Sequence, residues 1–197
     1  MNIAIIVEGK TEVAFKPALR KFIEPRVKQM PRLHTIPRHG RIPKGDELKR
    51  LVENLLRDHD VVIALTDVYT GTKDFTDATD AKAKMRAWVG NNPKFHPHAA
   101  QHDFEAWLLP FWPTIQELAK HKKSAPSGPP EQVNHNKPPS YRIKEIFETG
   151  KIRDYNKMRD AKRILEKSDL LISAKLCPEL KAFLNTILSL CNGEIIP

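Results

Sequence analysis

Three acidic residues follow three candidate strands in the sequence. They are Glu8 after residues 3–7, Asp67 after residues 61–65, and Glu105 after residues 95–101. Carboxylate oxygens are the ligands that Mg²⁺ and Mn²⁺ prefer, so three of them brought together would form a site for either ion. No obvious lysine partner accompanies them, and their mutual repulsion therefore also favours a bound cation. These residues predict metal-assisted chemistry on an anionic substrate.

The three acids can bind one ligand only if the fold brings these segments side by side. Residues 3–7 and 61–65 are short apolar runs that predict strands, the second rich in β-branched residues, and residues 95–101 are a third candidate strand. A further extended stretch is predicted at 33–37. Apolar residues at helical spacing predict helices at residues 11–23, 46–57 and 79–89. Such alternation implies an α/β fold with a mostly parallel sheet flanked by helices, in which the carboxyl ends of the strands share one edge. Thr11 and Asp103 are expected to cap the helices that follow Glu8 and the third strand.

The composition of the chain changes after residue 121. Residues 122–140 contain five prolines, which prevent a continuous helix. We predict an α/β domain at 1–121, a Pro-rich loop or linker at 122–140, and a helical region at 141–197 that packs on the first domain. The loop is either a connector or a flap that orders when a substrate or partner binds.

Composition also restricts the class of protein. The 197 residues include 33 Lys and Arg against 24 Asp and Glu, a formal charge of +9 that would attract nucleic acid, although many basic proteins bind none. Cys177 and Cys191 offer neither a disulfide framework nor a zinc cluster, so a reducing cytoplasm is the expected location. The sequence contains no long apolar run typical of a membrane span, and its start is too short and too soon charged for a signal peptide.

Several basic residues are candidates for contacting nucleic acid. They are Lys10, Lys137, Arg142, Lys157 and Arg159. Tyr141 and Tyr155 are interspersed with basic residues between 137 and 167, which favours a nucleic-acid contact in this region. Lys157 and Arg159 are the preferred phosphate contacts. An ordinary solvated helical face is the competing interpretation.

The motifs resemble those of a Toprim domain, the Rossmann-like metal-binding fold of topoisomerases, primases and overcoming-lysogenization-defect (OLD) nucleases. The segment from Val7 to Glu12 is similar to the glutamate motif of that family, and Asp67 is similar to the first aspartate of its paired-aspartate motif. This likeness covers residues 1–110. It implies metal ligation by Glu8, Asp67 and Glu105, and a phosphodiester-cleaving activity that needs Mg²⁺ or Mn²⁺.

A narrower likeness extends through most of the chain. The motifs His102-x-x-Glu105-Ala-Trp-Leu-Leu, Lys137-Pro-Pro and Tyr155-x-Lys157 are similar to a bacterial Toprim-like family of unassigned function. Members of that family are often encoded beside an ABC-type ATPase and are suspected of roles in phage defence. The likeness implies an ATPase partner and supports Lys157 as a catalytic residue. Nothing in this sequence matches a complete phosphate-cradling loop, so ATP hydrolysis would come from the partner.

One position departs from the Toprim pattern. The second aspartate of the paired motif is replaced by Tyr69. The missing ligand would abolish or weaken a second metal site, or be replaced by Asp74, Glu12 or Glu105. The chain is therefore either a nuclease or a non-catalytic module that binds nucleic acid or an ATPase.

The histidines leave two alternatives open. His102 precedes Glu105 by three residues and would either contact phosphate or water in the site, or bond to backbone at the sheet edge. His96 and His98, spaced for one face of a strand, raise the alternative of a zinc hydrolase, which Pro97 between them weakens.

Overall fold

The computed structural model describes residues 1–38, 40–69, 73–134 and 136–197, apart from the side chain of Lys10. The described residues form a parallel sheet in the order β2-β1-β3-β4, from the strands β1 (Asn2–Val7), β2 (Arg32–Pro37), β3 (Val61–Asp67) and β4 (Phe95–Ala100). The α-helices are α1 (Lys10–Ile23), α2 (Gly45–Leu55), α3 (Ala78–Val89), α4 (Trp112–Ala119), α5 (Pro139–Gly150), α6 (Lys157–Glu166), α7 (Leu170–Leu176) and α8 (Pro178–Leu190). Short 3₁₀ helices lie at Glu24–Arg26, Phe104–Phe111 and Pro130–Gln132. The predicted α/β fold, with a parallel sheet flanked by helices, is confirmed.

The order of the strands determines where a ligand can bind. From β1 the chain passes to β2 on one side, and then crosses to β3 on the other side of β1. The crossovers therefore separate between β1 and β3, and this switch point opens a crevice at the carboxyl ends of the two strands. Val7 is paired with Leu65 at that edge, so the residues that follow each of them lie side by side.

Both faces of the sheet are covered, as the unbroken apolar runs of its strands require. Ile5 and its odd-numbered neighbours pack against α1 and the C-terminal helices, in one cluster that includes Ile164 and Leu184. Ile6 and Ala4 pack on the opposite face with residues of α2 and α3. The apolar stripe of α8 is buried in the first of these clusters, as its spacing predicts.

Two expectations about helix ends are wrong. Thr11 does not cap α1, because the helix begins one residue earlier, at Lys10, with Gly9 in the capping position. Asp103 precedes the 3₁₀ helix Phe104–Phe111 but makes no side-chain capping bond to it.

Pro97 lies within β4, where it is tolerated because this strand forms the edge of the sheet. None of the helices in the described residues has the length and apolarity needed to cross a membrane.

Candidate active site

Glu8 and Asp67 meet at the switch point between β1 and β3. Glu8 directly follows β1, and Asp67 is the last residue of β3. The backbone N–H of Asp67 donates to Oε1 of Glu8 at 3.2 Å, and the hydroxyl of Thr66 donates to the same oxygen. These two donors hold the buried carboxylate of Glu8 against the end of β3.

Glu12 joins them from the first turn of α1. The backbone N–H of Gly9 donates to its Oε2 at 3.2 Å, which directs the carboxylate back towards the start of the helix. Glu8, Glu12 and Asp67 line a depression of about 450 Å³ together with Lys157 and Gly40. Three of the four predicted metal ligands therefore share one depression.

Glu105, the fourth predicted ligand, lies deeper. It is in the 3₁₀ helix Phe104–Phe111 and only 1% of its surface is exposed. The ammonium of Lys157 lies 3.2 Å from each of its oxygens, and the hydroxyl of Tyr155 donates to Oε1 at 3.4 Å. The expectation that the acids have no lysine partner is therefore wrong. Lys157 starts α6, more than fifty residues after Glu105, so local sequence does not reveal this contact.

Asp103 is a further carboxylate of the cluster. It is 4% exposed, and its Oδ2 accepts a hydrogen bond from the backbone N–H of Ser140 at 3.1 Å. Its Oδ1 is buried and has no hydrogen-bond partner among the described residues. His102, directly before it, has a left-handed backbone with φ of 69°.

The crowding of these acids raises their pKa values. Burial raises the pKa of Glu8 to about 7 and that of Glu105 to about 7, and neighbouring carboxylates add to both effects. Burial, followed by the charges of Glu12, Glu8, Asp103 and Glu105, raises the pKa of Asp67. Burial likewise raises the pKa of Glu12 and Asp103. Burial opposes the charging of Lys157, but the nearby carboxylates outweigh it and raise the pKa of that ammonium.

The donor set fits a hard divalent cation. Its oxygens are carboxylate oxygens, and burial together with mutual repulsion disfavours their charged form, which a cation would stabilise. Oδ1 of Asp103 adds a buried acceptor that has no partner among the described residues. In the described part of the chain, no three His, Cys, Asp or Glu side chains are already arranged to hold a metal ion. Ligation would thus need these side chains to move closer together.

The other predicted site residues are dispersed. Lys137 and Arg142 each lie 3.9 Å from Glu145, outside the depression. Arg159 is exposed near the rim, where its Nε lies 3.1 Å from Oδ1 of Asp160. The predicted contact by Lys10 falls on a side chain outside those described.

Among the described residues, His96 and His98 do not belong to a second metal centre. Nε2 of His98 lies 3.0 Å from the hydroxyl of Thr186 on α8, and burial lowers the pKa of His98 to about 3. His96 is half-buried, and its Nε2 has no partner among the described residues. A zinc site would need a third ligand beside His96 and His98. No His, Cys, Asp or Glu in the described part of the chain lies where it could be that ligand.

Sequence reasoning missed two residues of this site. Thr66 holds Glu8, and its only signal is its position directly before Asp67. Asp103 was assigned to a helix cap, because an aspartate before a helical segment ordinarily predicts one.

Comparison with known proteins supports the fold. The C-terminal region of the Burkholderia pseudomallei OLD protein is similar in structure, with a TM-score of 0.55 and 11% sequence identity over 96% of this chain and 98% of that chain. The C-terminal region of the Xanthomonas campestris pv. campestris OLD protein gives a TM-score of 0.44 and 11% identity, over 94% of this chain and 97% of that chain. No curated protein matches the sequence. A family model described as a domain of unknown function (DUF4276) matches residues 7–188, and the chain belongs to that family.

Proposed function

We propose that this protein is a metal-dependent nuclease that cleaves phosphodiester bonds of nucleic acid. The observation that carries the proposal is the convergence of Glu8, Glu12 and Asp67 on one depression at the switch point of the sheet, with Lys157 on its wall. The shared fold of the OLD C-terminal region supports it. Glu8, Glu12, Asp67 and Glu105 would hold Mg²⁺ or Mn²⁺.

The residues of the depression have separate tasks in this proposal. A divalent cation bound there would supply Lewis-acid polarisation of the phosphodiester and a lowered pKa for an attacking water. Lys157 would bind a phosphate oxygen with its exposed ammonium, while Glu105 holds that ammonium in place at 3.2 Å. Thr66 and the Asp67 N–H orient Glu8, so that its free oxygen points away from the donors.

Cations beside the depression support a polyanionic substrate. The backbone N–H of Gly40 donates to the carbonyl of Glu8 at 2.9 Å, which brings the segment after β2 to the site. Arg41 in that segment is close enough for its charge to lower the pKa of Glu8. Together with Lys157 and Arg159 it would contact backbone phosphates on both sides of the scissile bond.

Tyr69 favours a second candidate function. Its side chain is 54% exposed, in the position where a Toprim domain has its second aspartate. A degenerate site of this kind suits a non-catalytic module that binds nucleic acid or an ABC-type ATPase. For either function, the family resemblance also implies a role in an ATPase-linked phage-defence system.

A cleavage assay separates the two. Purified protein is incubated with Mg²⁺ or Mn²⁺ and with single-stranded DNA, double-stranded DNA or structured RNA, beside Glu8→Gln and Asp67→Asn. We expect both variants to lose about a hundredfold or more in rate. Asp58→Asn is the charge-matched control, since Asp58 is exposed at the opposite end of β3. Equal activity in all four proteins would contradict the proposed site, and binding without any cleavage would favour the second candidate.

A further inference from the structure

We infer that Asp103 supplies the metal-binding carboxylate that Tyr69 does not provide. This inference rests on the proposed function and specifies the ligands of the same site. It assigns a direct role at the metal to a residue that sequence reasoning treated as a helix cap.

The first support is Oδ1 of Asp103, which has no hydrogen-bond partner among the described residues. Its carboxylate is 4% exposed, and Ser140 satisfies Oδ2 alone. A buried polar atom without a partner is costly, and native proteins seldom keep one without a functional reason. Oδ1 is therefore open to a proton, a water or a cation, and a cation would also stabilise the charged form of the neighbouring carboxylates.

The second support is the position of Asp103 among those carboxylates. The N–H groups of Val68 and Tyr69 donate to the carbonyls of Ala100 and His102, which holds the segment before Asp103 against the end of β3. Asp67 lines the depression and is paired with Ala100 at that end of the sheet. Asp103 therefore lies on the short segment that leads from the strand partner of Asp67 to Glu105.

The backbone explains how Asp103 comes to this position. The N–H of Tyr69 donates to the carbonyl of His102 at 2.5 Å, which places residue 103 next to the end of β3. The left-handed conformation of His102, with φ of 69°, directly precedes Asp103 at the start of the 3₁₀ helix Phe104–Phe111. Asp103 is buried there, whereas Tyr69 is 54% exposed.

Metal binding by itself tests the inference. Binding of Mn²⁺ is measured by titration calorimetry and by the loss of the free-ion signal in electron paramagnetic resonance. We expect Asp103→Asn, which keeps an oxygen for the Ser140 N–H, to weaken binding by roughly tenfold to a hundredfold. Asp58→Asn is the matched control and should bind as the wild type does.

A compensating substitution makes the test specific. If Asp103 replaces the missing aspartate, Tyr69→Asp should restore Mn²⁺ affinity to Asp103→Asn by tenfold or more. Circular dichroism confirms the fold of each variant, and Asp103→Ser replaces Asp103→Asn should the latter fail to fold.

The outcomes distinguish this inference from the proposed function. Unchanged Mn²⁺ affinity in Asp103→Asn, with binding lost in Asp67→Asn, overturns the role of Asp103 and leaves the metal site standing. Absence of Mn²⁺ binding by the wild type overturns both. Weakened binding without rescue by Tyr69→Asp overturns the replacement of residue 69 by Asp103.

Discussion

At the scale of single residues, the contact between Lys157 and Glu105 links two parts of the site. Lys157 is half exposed and lines the depression, whereas Glu105 is buried beneath it. The ammonium neutralises the carboxylate and at the same time presents a positive charge to an anionic substrate. Removing it should therefore affect both stability and catalysis.

We expect Lys157→Met to lower the free energy of unfolding by about 1–2 kcal/mol and the cleavage rate by about a hundredfold. The loss of stability stays moderate because Glu105, whose pKa is already about 7, can take up a proton when its partner is removed. Urea denaturation and a single-turnover cleavage assay measure the two effects. Lys162→Met is the control, since Lys162 pairs, within the described part of the chain, with the exposed Glu166 alone, on the same helix at 3.7 Å. A wild-type cleavage rate in Lys157→Met would exclude Lys157 from the reaction.

The raised pKa of Glu8 predicts a pH dependence for the metal-free protein. Its carboxyl has a pKa of about 7 in the folded chain against 4.5 ordinarily, so between these values the folded state holds a proton that the unfolded state has lost. The unfolded state is therefore favoured as pH rises, and this part of the stability is present below about pH 4.5 and lost through pH 7.

Comparison with Glu8→Gln isolates this effect. The wild type should lose stability relative to Glu8→Gln between pH 5 and pH 8 in EDTA, as measured by urea denaturation. The opposite pH dependence expected from His98, whose pKa is lowered to about 3, is present in both proteins and cancels in the difference. A difference that is constant with pH would show that Glu8 ionises normally.

At the scale of elements, the turn after β4 positions the acidic residues that follow it, Asp103 and Glu105. His102 has φ of 69°, a conformation that glycine adopts freely and alanine does not. Its carbonyl accepts a hydrogen bond from the backbone N–H of Tyr69, and its imidazole makes no hydrogen bond to the described residues. We therefore expect the backbone conformation of His102, rather than its imidazole ring, to determine its contribution to stability and metal binding.

Two substitutions test this prediction. His102→Gly should keep the stability and the Mn²⁺ affinity of the wild type, and His102→Ala should lose about 1 kcal/mol of unfolding free energy. Both variants remove the imidazole, so their difference reports on the backbone alone. Equal loss of cleavage in both, at unchanged stability, would instead make the imidazole a participant in the reaction.

Elements and site differ in how far the sequence predicts them. The strands β1 and β3 are predictable because each contains a short apolar run that ends at an acid, Glu8 in one and Asp67 in the other. Parallel pairing then brings those acids to one edge, which the sheet confirms. The position of Asp103 depends on the left-handed backbone of His102, and the pairing of Lys157 with Glu105 depends on how α6 packs. Neither leaves a local pattern, because both arise from tertiary contacts between segments that are distant in sequence.

At the scale of the whole molecule, charge is distributed in two opposing parts. The chain carries a formal charge of +9, yet Glu8, Glu12 and Asp67 line one depression at the carboxyl edge of the sheet. Such a surface attracts a polyanion over a long range, while the local acids repel it until a cation is bound. Nucleic-acid binding should consequently depend on both salt and divalent metal.

We expect the affinity for single-stranded DNA to fall steeply with salt, because contacts to phosphates release counterions at about 0.7 per phosphate. Three contacted phosphates would give about a twentyfold loss between 50 and 200 mM NaCl, measured by fluorescence anisotropy in the presence of Ca²⁺. Arg159→Ala at the rim should reduce this salt dependence. Lys49→Ala, an exposed substitution on α2, should leave it unchanged, since α2 covers the sheet face opposite to α6. Equal effects of the two substitutions would mean that DNA binding depends on net charge alone and that the DNA does not lie across the depression.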